Sequence, residues 1–170
     1  PLQLAWRGFG ELTNAALGGL ALPVYAAAVL DGPVGFVALA AVPFFLLVLL
    51  NLFATQWPDR EADRQAGKRT LAVRWPQRRL RYSYAVVAIV AAASLAVLAG
   101  DVLPSVVVAA SLPVTPLVGW GAYAYTLRRA PWPIVRATVG LPILPTGGWC
   151  WPLYARLSPP GDRLTVPPTA

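Results

Sequence analysis

Asn51 to Arg74 reads NLFATQWPDREADRQAGKRTLAVR, and it sets Asp59 and Asp63 four residues apart in a basic segment between two apolar runs. Pro58 suits the first position of a short helix, where its missing N–H would be unsatisfied anyway, and Gly67 suits the exit. In such a helix the two carboxylates share a face and repel each other, which favours a cation held between them. Arg60, Arg64 and Lys68 form a second stripe at the same spacing. Glu61, two positions from each Asp, points away from both at roughly 100° per residue and stays outside the site. Acids early and bases late would also complement the macrodipole of an ordinary solvated helix, so spacing alone leaves both readings open.

The segments on either side decide the fold class. Apolar residues make up 57% of the chain and charged residues 12%, with the charges clustered between long uncharged runs. Crossing a hydrocarbon core of about 30 Å takes roughly 20 residues. Five runs are long enough: Leu12 to Leu30, Gly35 to Thr55, Tyr82 to Ala99, Leu103 to Leu127 and Ile134 to Ala155. The expected architecture is therefore an all-α, multi-pass transmembrane bundle, with residues 56–81 as the loop between the second and third spans. Asn14 and the later prolines are breaks tolerated where helices pack together or line a cavity. Asp31-Gly32-Pro33 has the composition of a tight turn.

Charge orients the bundle in the bilayer. With the N-terminus cytoplasmic, that side receives Arg7, eight Lys and Arg residues of the 56–81 loop, and Arg128, Arg129 and Arg136, while the other side receives Arg156 and Arg163. This arrangement obeys the positive-inside rule and its inverse violates it, so the loop is expected to face the cytoplasm. The net charge of +7 has the same origin. It does not point to nucleic acid, because no recognition fold interrupts the apolar runs; lipid headgroups or a diphosphate are better partners. The absence of His removes imidazole acid–base catalysis, Ser-His nucleophiles and His-ligated zinc. Cys150 is the only cysteine, so no intrachain disulfide can form. Glu11 follows the paired glycines of Arg7-Gly8-Phe9-Gly10 at the inner boundary of the first span, where a lone acid can be solvated at the interface.

Asp59 to Arg74, DREADRQAGKRTLAVR, resembles the second aspartate-rich motif of the UbiA superfamily of intramembrane prenyltransferases, of the form DxxxD followed by Gly. Gly67 to Val73 is most similar to the 1,4-dihydroxy-2-naphthoate polyprenyltransferase branch of menaquinone synthesis, and RGFGEL, Arg7 to Leu12, resembles the Gly-Glu segment before a mid-chain helix of that branch.

The resemblance implies a Mg²⁺-dependent transfer of a polyprenyl group from an isoprenoid diphosphate to an aromatic acceptor in a bacterial or archaeal cell membrane. It implies that Asp59 and Asp63 are the catalytic carboxylates that hold Mg²⁺, with Arg60, Arg64, Lys68, Arg69 and Asn51 available to the donor diphosphate. Residues 1–170 would be the C-terminal part of a single domain, equivalent to helices five to nine of a nine-helix bundle. The chain opens on Pro1, contains no Met and carries no NDxxDxxxD motif, so an N-terminal half is expected elsewhere and the isolated stretch is expected to be inactive. Two other classes stay open. One is a UbiA-type enzyme with a different acceptor; the other is a non-enzymatic transporter or subunit, although a loop position is unusual for a transport site near the bilayer midplane.

Overall fold

The computed structural model describes residues 4–127, and every regular element among them is helical. α1 (Leu4–Arg7) leads into α2 (Gly10–Ala16), which widens into one π-helical stretch (Leu17–Ala21) before α3 (Leu22–Val29). Pro23 explains the widening. Its ring crowds the carbonyl one turn back, and a π bulge relieves the clash without ending the helix. Gly10–Val29 thus forms one rod long and apolar enough to cross a membrane. Asp31, at φ 51, then turns the chain, with Gly32 N–H donating to the Ala27 carbonyl at 2.8 Å.

α4 (Val34–Ala40) and α5 (Val42–Gln56) form the return leg, bent by 43° at their junction. Pro43 in the first turn of α5 marks the break. α6 (Arg60–Gln65) and α7 (Leu71–Arg74) are short loop helices, and α8 (Gln77–Val97) is the second unbroken helix of spanning length. The chain turns at Gly100 and descends through α9 (Ser105–Ser111), a 3₁₀ turn at Leu112–Val114, and α10 (Thr115–Ala124). The described residues therefore hold two spanning helices, or three if the bent α4–α5 pair counts as one.

Three of the expected spans coincide with these helices. The Leu103–Leu127 run is two helices joined by a 3₁₀ turn, where Pro113 cannot donate to the helical ladder. The run from Ile134 to Ala155 lies outside the described residues, as do Arg128, Arg129 and Arg136. α8 begins at Gln77, five residues before the expected start at Tyr82, so Arg78, Arg79 and Arg81 ride on its first turns and the 56–81 loop is shorter than expected. Pro76, extended at φ −66 and ψ 152, starts the helix there.

The core lies between α5 and α8. Leu50, Phe53, Ala54, Leu80 and Tyr84 are buried, with Ala15 of α2 and Tyr125 closing the cluster. Small residues matter in such an interface, because helix association in lipid relies on close contact rather than on escape from water. Gly19 lies so close to α5 that an added Cβ would stand 2.6 Å from the Phe45 Cα. A second cluster, Ala40, Leu98, Leu103 and Val107, closes the far end. Leu22, Leu30, Ile89 and Val97 point outward and are largely exposed, as lipid-facing side chains of an integral membrane protein are.

Candidate functional site

Glu11, the 57–76 loop and Tyr125 meet at one end of the bundle, opposite the Asp31 and Gly100 turns. Glu11 Oε1 accepts the Leu71 backbone N–H at 2.5 Å, and Gln77 Nε2 donates to the Thr126 carbonyl and hydroxyl at 3.2 and 3.0 Å. These ties draw α2, the exit of the loop, α8 and the end of α10 together.

The helix carrying the acids is shorter than the sequence suggests. α5 ends at Gln56, Pro58 lies in the intervening turn, and Asp59 is the residue before the first turn of α6. Pro58 therefore does not open α6. Gly67 does what its type implies: at φ +74 it occupies the left-handed exit that other residues adopt at a cost. The Asp63 N–H donates to the Asp59 carbonyl at 2.8 Å, which sets the two acids one turn apart. Asp59 is exposed, whereas Asp63 is 8% exposed.

The basic residues do not form the single stripe expected of them. The helical register ends at Gln65, so Lys68 leaves the Arg60–Arg64 line and folds back, its Nζ donating to Asp63 Oδ1 at 2.9 Å. Arg64 pairs with Glu61 at 3.4 Å on the exposed side. Arg60 turns inward, with its guanidinium 5.2 Å from the Trp57 ring centre. Arg69 is exposed, and its carbonyl lies against Gly8, where an added Cβ would come within 2.9 Å of that oxygen. The Asn51 carbonyl accepts the Thr55 hydroxyl at 3.0 Å, and the Pro58 break separates both residues from the register of α6.

Glu11 is not solvated at an interface. It is 1% exposed because Gly8, at φ +83, lets the preceding turn press onto Arg69 and Arg74 and carries the carboxylate under the loop. Sequence reading also missed Tyr84 as Tyr125's partner: their rings stack at 4.9 Å, with Trp57 edge-on to Tyr125 at 6.2 Å. No local signal pairs residues so far apart in the chain. Away from the loop, along the middle of the bundle, an apolar cavity of about 350 Å³ runs between α8 and α10, lined by Leu47, Ala88, Ala92, Leu95, Val118 and Ala122 among others.

A carboxylate pair on a basic loop, in a bundle of apolar helices that also encloses an apolar cavity, suits a substrate with an anionic head and a hydrocarbon tail. A family model for UbiA prenyltransferases matches residues 2–130. The chain belongs to the UbiA prenyltransferase family. Membership makes it a membrane prenyltransferase, whose substrates are an isoprenoid diphosphate and an aromatic acceptor. Comparison with curated proteins and with solved structures gave no match.

Among the described residues no group of three or more Asp, Glu, His or Cys side chains is placed to hold a metal. Mg²⁺ is commonly bound by one or two carboxylates together with substrate phosphates rather than by an all-protein cage, a donor set that Asp59 and Asp63 could supply. Lys68 is the cation that pairs with Asp63 in this structure.

Proposed function

We propose that this UbiA prenyltransferase transfers a polyprenyl group from its diphosphate to 1,4-dihydroxy-2-naphthoate, in a Mg²⁺-dependent reaction centred on Asp59 and Asp63. The observation that carries the reading is the pair of acids on successive backbone turns of a basic loop, with Asp63 buried under a lysine ammonium. Mg²⁺ bound there would supply charge neutralisation for the leaving diphosphate.

The chain's own side chains do the rest. Arg60, Arg64, Lys68 and Arg69 lie on the same loop as the acids and add fixed positive charge where the diphosphate departs; Lys68 exchanges its partner from Asp63 to the substrate. The cavity between α8 and α10 takes the isoprenoid tail and keeps water from the allylic cation until the aromatic ring captures it. The loop faces the cytoplasm, where its arginines obey the charge rule. The menaquinone-type acceptor rests on the Gly67 to Val73 and RGFGEL segments. Because residues 1–170 carry no NDxxDxxxD motif, a second acidic motif elsewhere in the enzyme completes the diphosphate site, and this stretch alone is expected not to turn over.

The test is a transfer assay on the complete enzyme in membranes, with Mg²⁺ present or chelated and with dihydroxynaphthoate set against hydroxybenzoate. The reading expects Mg²⁺-dependent prenylation of the naphthoate in preference. Preferential prenylation of hydroxybenzoate would overturn the acceptor assignment, and full activity under chelation would overturn the metal site.

A further inference from the structure

Three contacts join residues 6–11 to the exit of the acidic loop. Glu11 Oε1 accepts the Leu71 N–H at 2.5 Å, across 60 residues of chain. Gly8, at φ +83, lies so close to the loop that an added Cβ would stand 2.9 Å from the Arg69 carbonyl oxygen and would overlap the Arg74 guanidinium. The edge of the Trp6 ring would meet a Cβ on Gly67 at 3.8 Å, so it rests beside the turn that ends α6.

These contacts matter because of what lies between them. Residues 68–70 have no regular structure of their own, and a stretch without helical hydrogen bonds keeps one shape only where its ends are fixed. One end is fixed from within the loop, where the Lys68 N–H donates to the Asp63 carbonyl at 2.9 Å. The other end is Leu71, the first residue of α7, whose N–H is among the donors that a helix start leaves unpaired. Thr70 is of a type that caps such a donor locally, yet its side chain makes no capping bond and its buried hydroxyl has no partner among the described residues. Glu11 supplies the acceptor from α2 instead. A local cap would only start the helix, whereas a cap from α2 also fixes the loop to the first membrane helix. Glu11 is 1% exposed, so this charge-assisted bond is shielded from competing water.

We propose that Glu11 is a positioning residue for the diphosphate site. Its bond to Leu71 fixes the backbone from which Lys68 and Arg69 project, and Glu11 itself touches neither substrate nor metal. The proposal rests on the prenyl-transfer reading for what the two cations bind; the tie to Leu71 stands on its own geometry. Cations held in place before the substrate arrives lose less freedom on binding it and need no rearrangement as charge develops. With the tie cut, Lys68 and Arg69 keep their charges and lose their places.

The test is titration calorimetry of a prenyl thiodiphosphate with Mg²⁺ on the complete detergent-solubilised enzyme, together with amide hydrogen exchange of residues 68–71. Glu11→Ala should raise Kd at least about ten-fold while the stoichiometry stays near that of the wild type, as expected when a charge-assisted contact is misplaced. A residue needed only for folding would lower the stoichiometry and leave Kd unchanged. Glu11→Gln keeps an oxygen for Leu71 and should bind within about three-fold of wild type. Gly8→Ala, which removes no polar group, should lift residues 6–11 off the loop and weaken binding in the same direction as Glu11→Ala. Lys68→Ala should cost less in the Glu11→Ala background than in the wild type, because Glu11 acts through Lys68. Exchange at 68–71 should quicken in Glu11→Ala and Gly8→Ala but not in Glu11→Gln. An unchanged Kd in Glu11→Ala overturns the proposal, as does a Lys68 effect undiminished in that background. Glu11→Gln binding as weakly as Glu11→Ala overturns it too, since the charge would then act on the ligand directly. A wild type that binds no thiodiphosphate sinks the prenyl-transfer reading and the diphosphate role with it; normal wild-type binding with unchanged exchange in Glu11→Ala sinks the tie alone.

Discussion

Asp63→Ala separates the site from the scaffold, because the structure predicts very different magnitudes for the two. The Asp63 side chain is 11% exposed and, among the described residues, its one ion pair is with Lys68 at 2.9 Å, but the lysine is 44% exposed. Removing the carboxylate leaves no stranded charge, since Lys68 can extend into water. The stability cost is that of a partly solvated ion pair, on the order of 1 kcal/mol or less, or roughly 2–4 °C in Tm. The proposed role is far more demanding. Loss of one preorganised group that stabilises transition-state charge costs about 10²- to 10³-fold in turnover. Prenyl transfer from a labelled diphosphate, measured alongside thermal unfolding of the same detergent-solubilised preparation, reads both quantities. Expected is a fall of at least about 100-fold in turnover with a nearly unchanged Tm. Turnover within three-fold of wild type refutes the role of Asp63, and a collapse of Tm refutes the claim that the residue serves the site rather than the fold.

Glu61→Ala is the matched charge removal on the exposed side, where the 3.4 Å pair with Arg64 contributes little; transfer activity and Tm should both stay near wild type. Gly67→Ala forces a Cβ into a left-handed exit at φ +74, which costs roughly 1–2 kcal/mol and should lower Tm and loosen the loop, seen as faster proteolysis between α6 and α7. Leu50→Ala opens a hole in the fully buried α5–α8 seam. In a bilayer the unfolded reference keeps leucine in hydrocarbon, so only packing is lost, roughly 1–3 kcal/mol in unfolding experiments in mixed micelles.

Hydropathy revealed the helices because lipid forces each backbone segment to satisfy its own hydrogen bonds, which leaves long apolar runs few alternatives. Gly67 was equally legible, since its left-handed turn is a local demand. Pro43 and Pro113 were visible as letters, but whether each bends, breaks or merely tightens a helix depends on neighbours that absorb the lost hydrogen bond. Burial at the site was the least legible. The Glu11 bond to Leu71 spans 60 residues, and the Tyr84–Tyr125 stack exists because α8 and α10 pack side by side. Lys68 was placed on a helical stripe because its spacing fits one. The chain had already left the helix two residues earlier, and a buried carboxylate drew the ammonium back.

Asp59 and Asp63 are proposed to join the enzyme to its diphosphate substrate through Mg²⁺. Titration calorimetry of a non-hydrolysable prenyl thiodiphosphate, with and without Mg²⁺, on the wild type and on an Asp59→Asn, Asp63→Asn double variant tests it most directly. Mg²⁺ is expected to tighten binding at least about ten-fold in the wild type, a difference of about 1.4 kcal/mol, and to have no effect on the variant. Equal enhancement by Mg²⁺ in both proteins would contradict it.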